Sequence, residues 1–169
     1  APGSTNSEPA VVDGWNSFSL IDVDGSNAVP ADGTISNIQW YGSNTNGVIF
    51  YMYRLVSDQT YAVVGKAQAS NTIIGQENSM AVNIAVQKGD VMGWTWIGDA
   101  AFGFEETNAG HILYTNDEDS GGPSDVGATW EFDVAEGRRY HVAASFVPDV
   151  PVPPASTPRL YCAAALCQG

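Results

Sequence analysis

Apolar and aromatic residues gather in short runs along the chain, alternating with polar ones in 15–23 and almost unbroken in 48–56, and no window of helical length keeps a 3.6-residue apolar period. The pattern predicts strands over 15–23 (WNSFSLIDV), 34–42 (TISNIQWYG), 48–56 (VIFYMYRLV), 61–67 (YAVVGKA) and 80–86 (MAVNIAV). It predicts four more over 90–98 (DVMGWTWIG), 111–115 (HILYT), 128–134 (ATWEFDV) and 138–147 (RRYHVAASFV). Val, Ile, Tyr, Phe and Trp dominate them, the residues that suit a pleated, half-buried surface. The run 48–56 is almost wholly apolar, as expected of a strand covered on both faces. Short turn sequences (DGSN, ADG, GSNTNG, SDQT, QKGD, AEGR) separate the strands. Many short strands with Gly and Asn turns point to an all-β fold, an antiparallel β-sandwich of jelly-roll type. The Cys…Trp…Cys spacing of an immunoglobulin domain is absent.

Both ends read differently from the body. The run VPDVPVPPASTPRL starts at Val147, carries prolines at 148, 151, 153, 154 and 158, and cannot enter a central sheet. Residues 148–169 therefore read as an extended polyproline-II tail. Residues 1–13 are polar and read as an N-terminal arm, leaving 14–147 as the sandwich domain. Cys162 and Cys167 close the tail in a C-x4-C pair with no His beside it, which favours a small disulfide loop over a zinc site.

The 169 residues include 44% hydrophobic and 11% aromatic residues, enough for a packed core. A net charge of −13 repels nucleic-acid phosphates and anionic membranes, so neither is expected as a partner. No apolar run reaches the length of a membrane span. The opening APGSTNSEPA reads like a mature end left by signal cleavage, and hence a secreted, extracellular setting. Between Lys88 and Arg138 there is no Lys or Arg but there are eleven carboxylates, so one half of the chain is far more negative than the other.

That acid sets the candidate chemistry. TNDEDSGGPSD offers Asn116, Asp117, Glu118, Asp119 and Asp125, and IDVDGSN offers Asp22 and Asp24; flexible oxygen-rich loops of this kind hold calcium. The same residues also make ordinary solvated turns, because Asp bonds its own backbone. Glu105 and Glu106 are adjacent on a strand and point to opposite faces, so a glycosidase pair would need one of them to face Asp99 or Glu131. His111 and His141 read as structural, and no G-x-S-x-G, P-loop, dinucleotide fingerprint or HExxH is present. Trp94 and Trp96 share one strand face, as do Tyr51 and Tyr53. Such pairs build either a core or a flat platform for sugar rings.

Across residues 15–98 the order of motifs is distinctive. An opening aromatic strand is followed by G-x-I-x-x-W, an apolar strand ending in Arg54, Tyr-x-Val-Val-Gly and Val-x-x-Gly-Asp-x-x-Gly. This order resembles secreted jelly-roll-type β-sandwich modules of extracellular and cell-surface proteins. The resemblance implies a sandwich and a secreted setting, and supplies no catalytic residues. The functional expectation is a non-enzymatic, self-assembling subunit of an extracellular filament, sheath or adhesive surface, with terminal arms making homo-oligomer contacts. The alternative is a calcium-assisted carbohydrate-binding module that takes glycans on Trp94 and Trp96.

Overall fold

The structure, a computed structural model, describes residues 5–14, 17–107, 112–114 and 121–150. Its strands are β1 (Ser19–Asp22), β2 (Gly33–Tyr41), β3 (Val48–Ser57), β4 (Thr60–Ala69), β5 (Glu77–Val86) and β6 (Val91–Trp96). Then follow β7 (Phe104–Glu106), β8 (Ile112–Tyr114), β9 (Thr129–Glu131), β10 (Val134–Glu136), β11 (Arg138–Tyr140) and β12 (Val142–Pro148). There is no helix among the described residues. A seven-stranded sheet runs β10-β8-β1-β6-β3-β4-β9, a three-stranded sheet runs β12-β2-β5, and β11 pairs with β7. Every pairing is antiparallel.

The pairings are nested. β3 lies against β4, β2 against β5 and β1 against β6, and the β2–β5 pair sits in the smaller sheet while the other two sit in the larger. The first six strands thus pair from the middle outwards.

The large sheet cannot be flat. β9 and β10 stand at its opposite edges, so six interstrand spacings of ~4.8 Å would separate them by roughly 29 Å in a flat sheet. Only Phe132 and Asp133 connect them, and three Cα steps reach at most ~11 Å. The sheet is therefore rolled until its edges approach, and the β9–β10 run closes the roll. Phe132 is fully buried there and meets Tyr53 and Tyr61 edge-on.

Alternation along β1, β3 and β6 serves two interiors. On one face of β3, Val48, Phe50 and Met52 join Trp40, Trp94, Trp96, Phe102 and Tyr140 between the two larger sheets. On its other face, Tyr51 and Tyr53 join Ile21, Tyr61, Val63, Val91 and Phe132 inside the roll. The run 48–56, apolar but for Arg54, is a strand covered on both faces as far as Tyr53; Leu55 and Val56 are exposed.

Several boundaries differ from expectation. β1 begins at Ser19, because Ser17 turns into the left-handed region with φ 57°. The run 138–147 breaks at His141, where the chain leaves one sheet for another. β7 and β10 carry only three residues each, too few to show a period. Pro148 is the last residue of β12, an edge strand where its missing N–H costs no ladder bond.

Candidate functional site

Residues 5–13 lie on the body of the protein as a strap. Val11 and Phe104 exchange both backbone hydrogen bonds, Val11 N to Phe104 O at 3.0 Å and Phe104 N to Val11 O at 2.9 Å, so the strap flanks β7 opposite β11. Two residues on, the buried Asp13 carboxylate accepts from Tyr140 Oη at 2.6 Å. Arg138 donates to the same Tyr140 oxygen at 3.2 Å and lies 4.1 Å over the Phe104 ring. Burial and the neighbouring Asp13 charge push the Tyr140 hydroxyl well above its usual pKa, so it stays a donor. Burial opposes the Arg138 charge, but Tyr140, Asp13 and Glu136 outweigh it and hold the cation.

Nearer the start, Ser7 O meets His141 Nδ1 at 2.8 Å; a carbonyl only accepts, so Nδ1 carries the hydrogen. The His141 ring is fully buried, and its Nε2 lies 3.4 Å from Glu105 Oε1. Pro9 seats over Gly103, where a Cβ would fall 2.1 Å from Val11 O and 2.7 Å from the Pro9 ring. Only glycine admits the strap at that point.

A second feature is apolar and open. Leu55, Val56 and Val126 are 56%, 59% and 60% exposed, large values for aliphatic side chains. With Val63, Val64 and Val86 they line a groove of about 900 Å³ at the end of the β3–β4 hairpin. Asp32, Arg54 and Asp149 form its polar rim. Arg54 is fixed there by a bidentate pair with Asp90, Nε to Oδ1 at 2.9 Å and Nη2 to Oδ2 at 2.8 Å. Asp90 Oδ2 also accepts from Gln87 N at 2.8 Å.

The residues that the sequence pointed to do not converge on one place. Trp94 and Trp96 are 0% and 1% exposed and pack on Phe102 and Tyr140, so their shared face is core and no ring is open to a sugar. Asp22 and Asp24 form an Asx-type turn: Asp22 accepts from Asp24 N at 2.9 Å and from Asn27 Nδ2 at 2.9 Å, and Asp24 accepts from Ser26 N at 3.0 Å. Burial raises the Asp22 pKa. Asn116, Asp117, Glu118 and Asp119 lie outside the described residues, as do His111, Cys162 and Cys167. Residues 121–125 cross the rolled sheet: Gly122 lies against Ser19 and Thr95, Pro123 O accepts from Tyr51 Oη at 2.8 Å, and Lys66 takes both Ser124 O and Asp125, the latter at 3.6 Å. The described part of the acidic stretch is a crossover on a sheet face.

Glu106 shares a polar cleft with Glu136 and Arg138, not with Asp99 or Glu131, and Glu105 faces His141. The Asp13–Tyr140 contact and the His141 clasp escaped sequence reading because they join residues 127 and 134 positions apart. Among the described residues no three His, Cys, Asp or Glu side chains are grouped to hold a metal ion. No family model matches the chain, and neither does any curated protein or solved structure.

Proposed function

We propose that the protein is a non-enzymatic structural subunit of an extracellular filament, sheath or surface layer, built on a jelly-roll-type sandwich and associating with copies of itself. The nested β1–β6 pairing supports the jelly-roll reading. The observation that carries self-association is the groove formed by Leu55, Val56 and Val126, where three aliphatic side chains more than half exposed converge on one concave surface. Apolar surface concentrated in this way marks a protein contact, because leaving it in water costs roughly 25 cal/mol per Å². In this reading the buried polar groups (Asp13 under Tyr140, Asp90 under Arg54, His141 under Ser7) hold the fold together.

Static light scattering and electron microscopy of the purified chain test the proposal. The wild type should form particles much larger than a monomer as concentration rises. Leu55→Asp combined with Val126→Asp should stay monomeric with an unchanged far-UV spectrum. Single particles from the wild type at every concentration would sink the proposal.

A further inference from the structure

We propose that the groove of one copy takes the turn 70–76 of the next, so that copies join end to end in an open filament. The inference rests on the self-associating reading above and names the surface that meets the groove.

Three observations carry it. First, the turn between β4 and β5 is a second apolar projection. Ile73 and Ile74 are adjacent in it and each 55% exposed. Their backbone is held firmly. Ile73 N donates to Asn78 Oδ1 and Ile73 O accepts from Asn78 Nδ2, both at 2.8 Å. Gly75 N donates to Gly42 O at 2.9 Å, and the buried Thr72 hydroxyl accepts from Trp40 Nε1 at 3.1 Å. A turn fixed in this way presents its side chains with little left to order on binding.

Second, the projection and the groove stand at opposite ends of the same strands. β2 starts in the groove lining with Gly33 and Thr34 and leads to Gly42, where an added Cβ would fall 2.0 Å from Ile73 O. β5 runs back from Glu77, just after the turn, to Val86 in the groove. Nine residues at ~3.3 Å each set the two features about 30 Å apart, so a copy cannot fill its own groove with its own turn. The occupant comes from another copy. A contact between unlike ends leaves one groove and one turn free however many copies have joined, whereas a groove facing a groove stops at a dimer.

Third, charge selects this turn among the exposed apolar residues. Val11, Val12, Ile97, Val147 and Val150 each lie within two residues of an aspartate. Around Ile73 and Ile74 there is no charged residue between Lys66 and Glu77. The groove rim is negative, because Asp90 already engages Arg54 and leaves Asp32 and Asp149. An uncharged turn is not repelled by that rim, and its exposed Asn71 and Gln76 amides are donors suited to carboxylates.

The test uses two variants of the full chain, each checked for a wild-type far-UV spectrum. Ile73→Asp with Ile74→Asp removes the projection and keeps the groove; Leu55→Asp with Val126→Asp does the reverse. Each alone should sediment as a monomer at the concentration where the wild type assembles. Mixed in equal amounts, they should give a species of about twice the monomer mass and nothing larger, since one intact groove and one intact turn remain per pair. Labelling one variant with ¹⁵N and weighing the pair by native mass spectrometry should find one copy of each. The milder Ile73→Ser with Ile74→Ser should raise the onset concentration of assembly severalfold. A mixture that stays monomeric would overturn the proposal, as would a turn variant that assembles like the wild type. If the turn variant assembles while the groove variant does not, the end-to-end contact is wrong and the subunit reading stands. A wild type that stays monomeric at every concentration removes both.

Discussion

The pair between Arg54 and Asp90 joins a buried carboxylate to a partly exposed cation. Asp90 is 1% exposed, whereas the Arg54 side chain is 41% exposed, so the two partners are not equivalent. Arg54→Ala strands a buried carboxylate that keeps only the Gln87 N–H. Asp90→Ala leaves a guanidinium that can turn to water. Arg54→Ala should therefore be the more damaging, by about 2–3 kcal/mol against about 1–2 for Asp90→Ala, below the range of fully buried pairs because water screens the Arg54 side. Urea unfolding midpoints check the order, and equal losses would show that the pair is not asymmetric.

The buried tyrosines give a second residue-scale expectation. Burial raises the pKa of Tyr53, and burial together with Asp13 raises that of Tyr140, while both return to about 10 on unfolding. Their stabilisation is complete below pH ~10 and is lost as pH rises toward the folded values, with a slope near ~1.4 kcal/mol per pH unit for each tyrosine. The melting temperature should fall steeply above pH ~10, and Tyr140→Phe should flatten that fall. A profile unchanged in the variant would remove Tyr140 from the account.

At the scale of elements, sequence was most informative where a strand is long and its faces are unlike. The Tyr51/Tyr53 pair and the Trp94/Trp96 pair carried their shared faces in the period of two, and the 48–56 run carried its two-sided cover in having almost no polar position. What the period could not say is whether a shared aromatic face is core or platform, because both need the same spacing; here the second sheet and Phe102 cover it. The motif from Val86 to Gly93 was legible as structure, and its chemistry became plain only in three dimensions. Asp90 reaches across to Arg54, and Gly93 leaves room for Tyr53, whose ring would lie 2.5 Å from an added Cβ. β7 and β10 were invisible because three residues carry no pattern, and their places are set by distant partners: Arg138–Tyr140 for β7, and β8 for β10. Residues 1–13 read in the sequence as an arm, whereas residues 5–13 lie down on the chain's own body. The strap's anchors are a single bridge and isolated polar contacts, which leave no trace in local sequence.

At the scale of the whole molecule, charge decides how copies can meet. The chain carries −13 with six Lys and Arg residues, of which Arg54, Lys66 and Arg138 are already engaged by its own carboxylates, carbonyls or hydroxyls. In the proposed assembly, two copies approaching through the groove of Leu55, Val56 and Val126 would repel at long range and attract only on apolar contact. Salt weakens the repulsion and leaves the apolar term in place: the screening length shortens from ~30 Å at 0.01 M to ~8 Å at 0.15 M. The concentration at which light scattering detects association should fall severalfold over that range of sodium chloride at pH 7. The Leu55→Asp, Val126→Asp chain should show little association at either salt level. Replacing sodium chloride with calcium or magnesium chloride at equal ionic strength separates screening from ion binding, since screening alone predicts the same onset with either divalent ion. Association that weakened as salt rose would mean that copies are held by opposite charges, and the groove would then not be the contact.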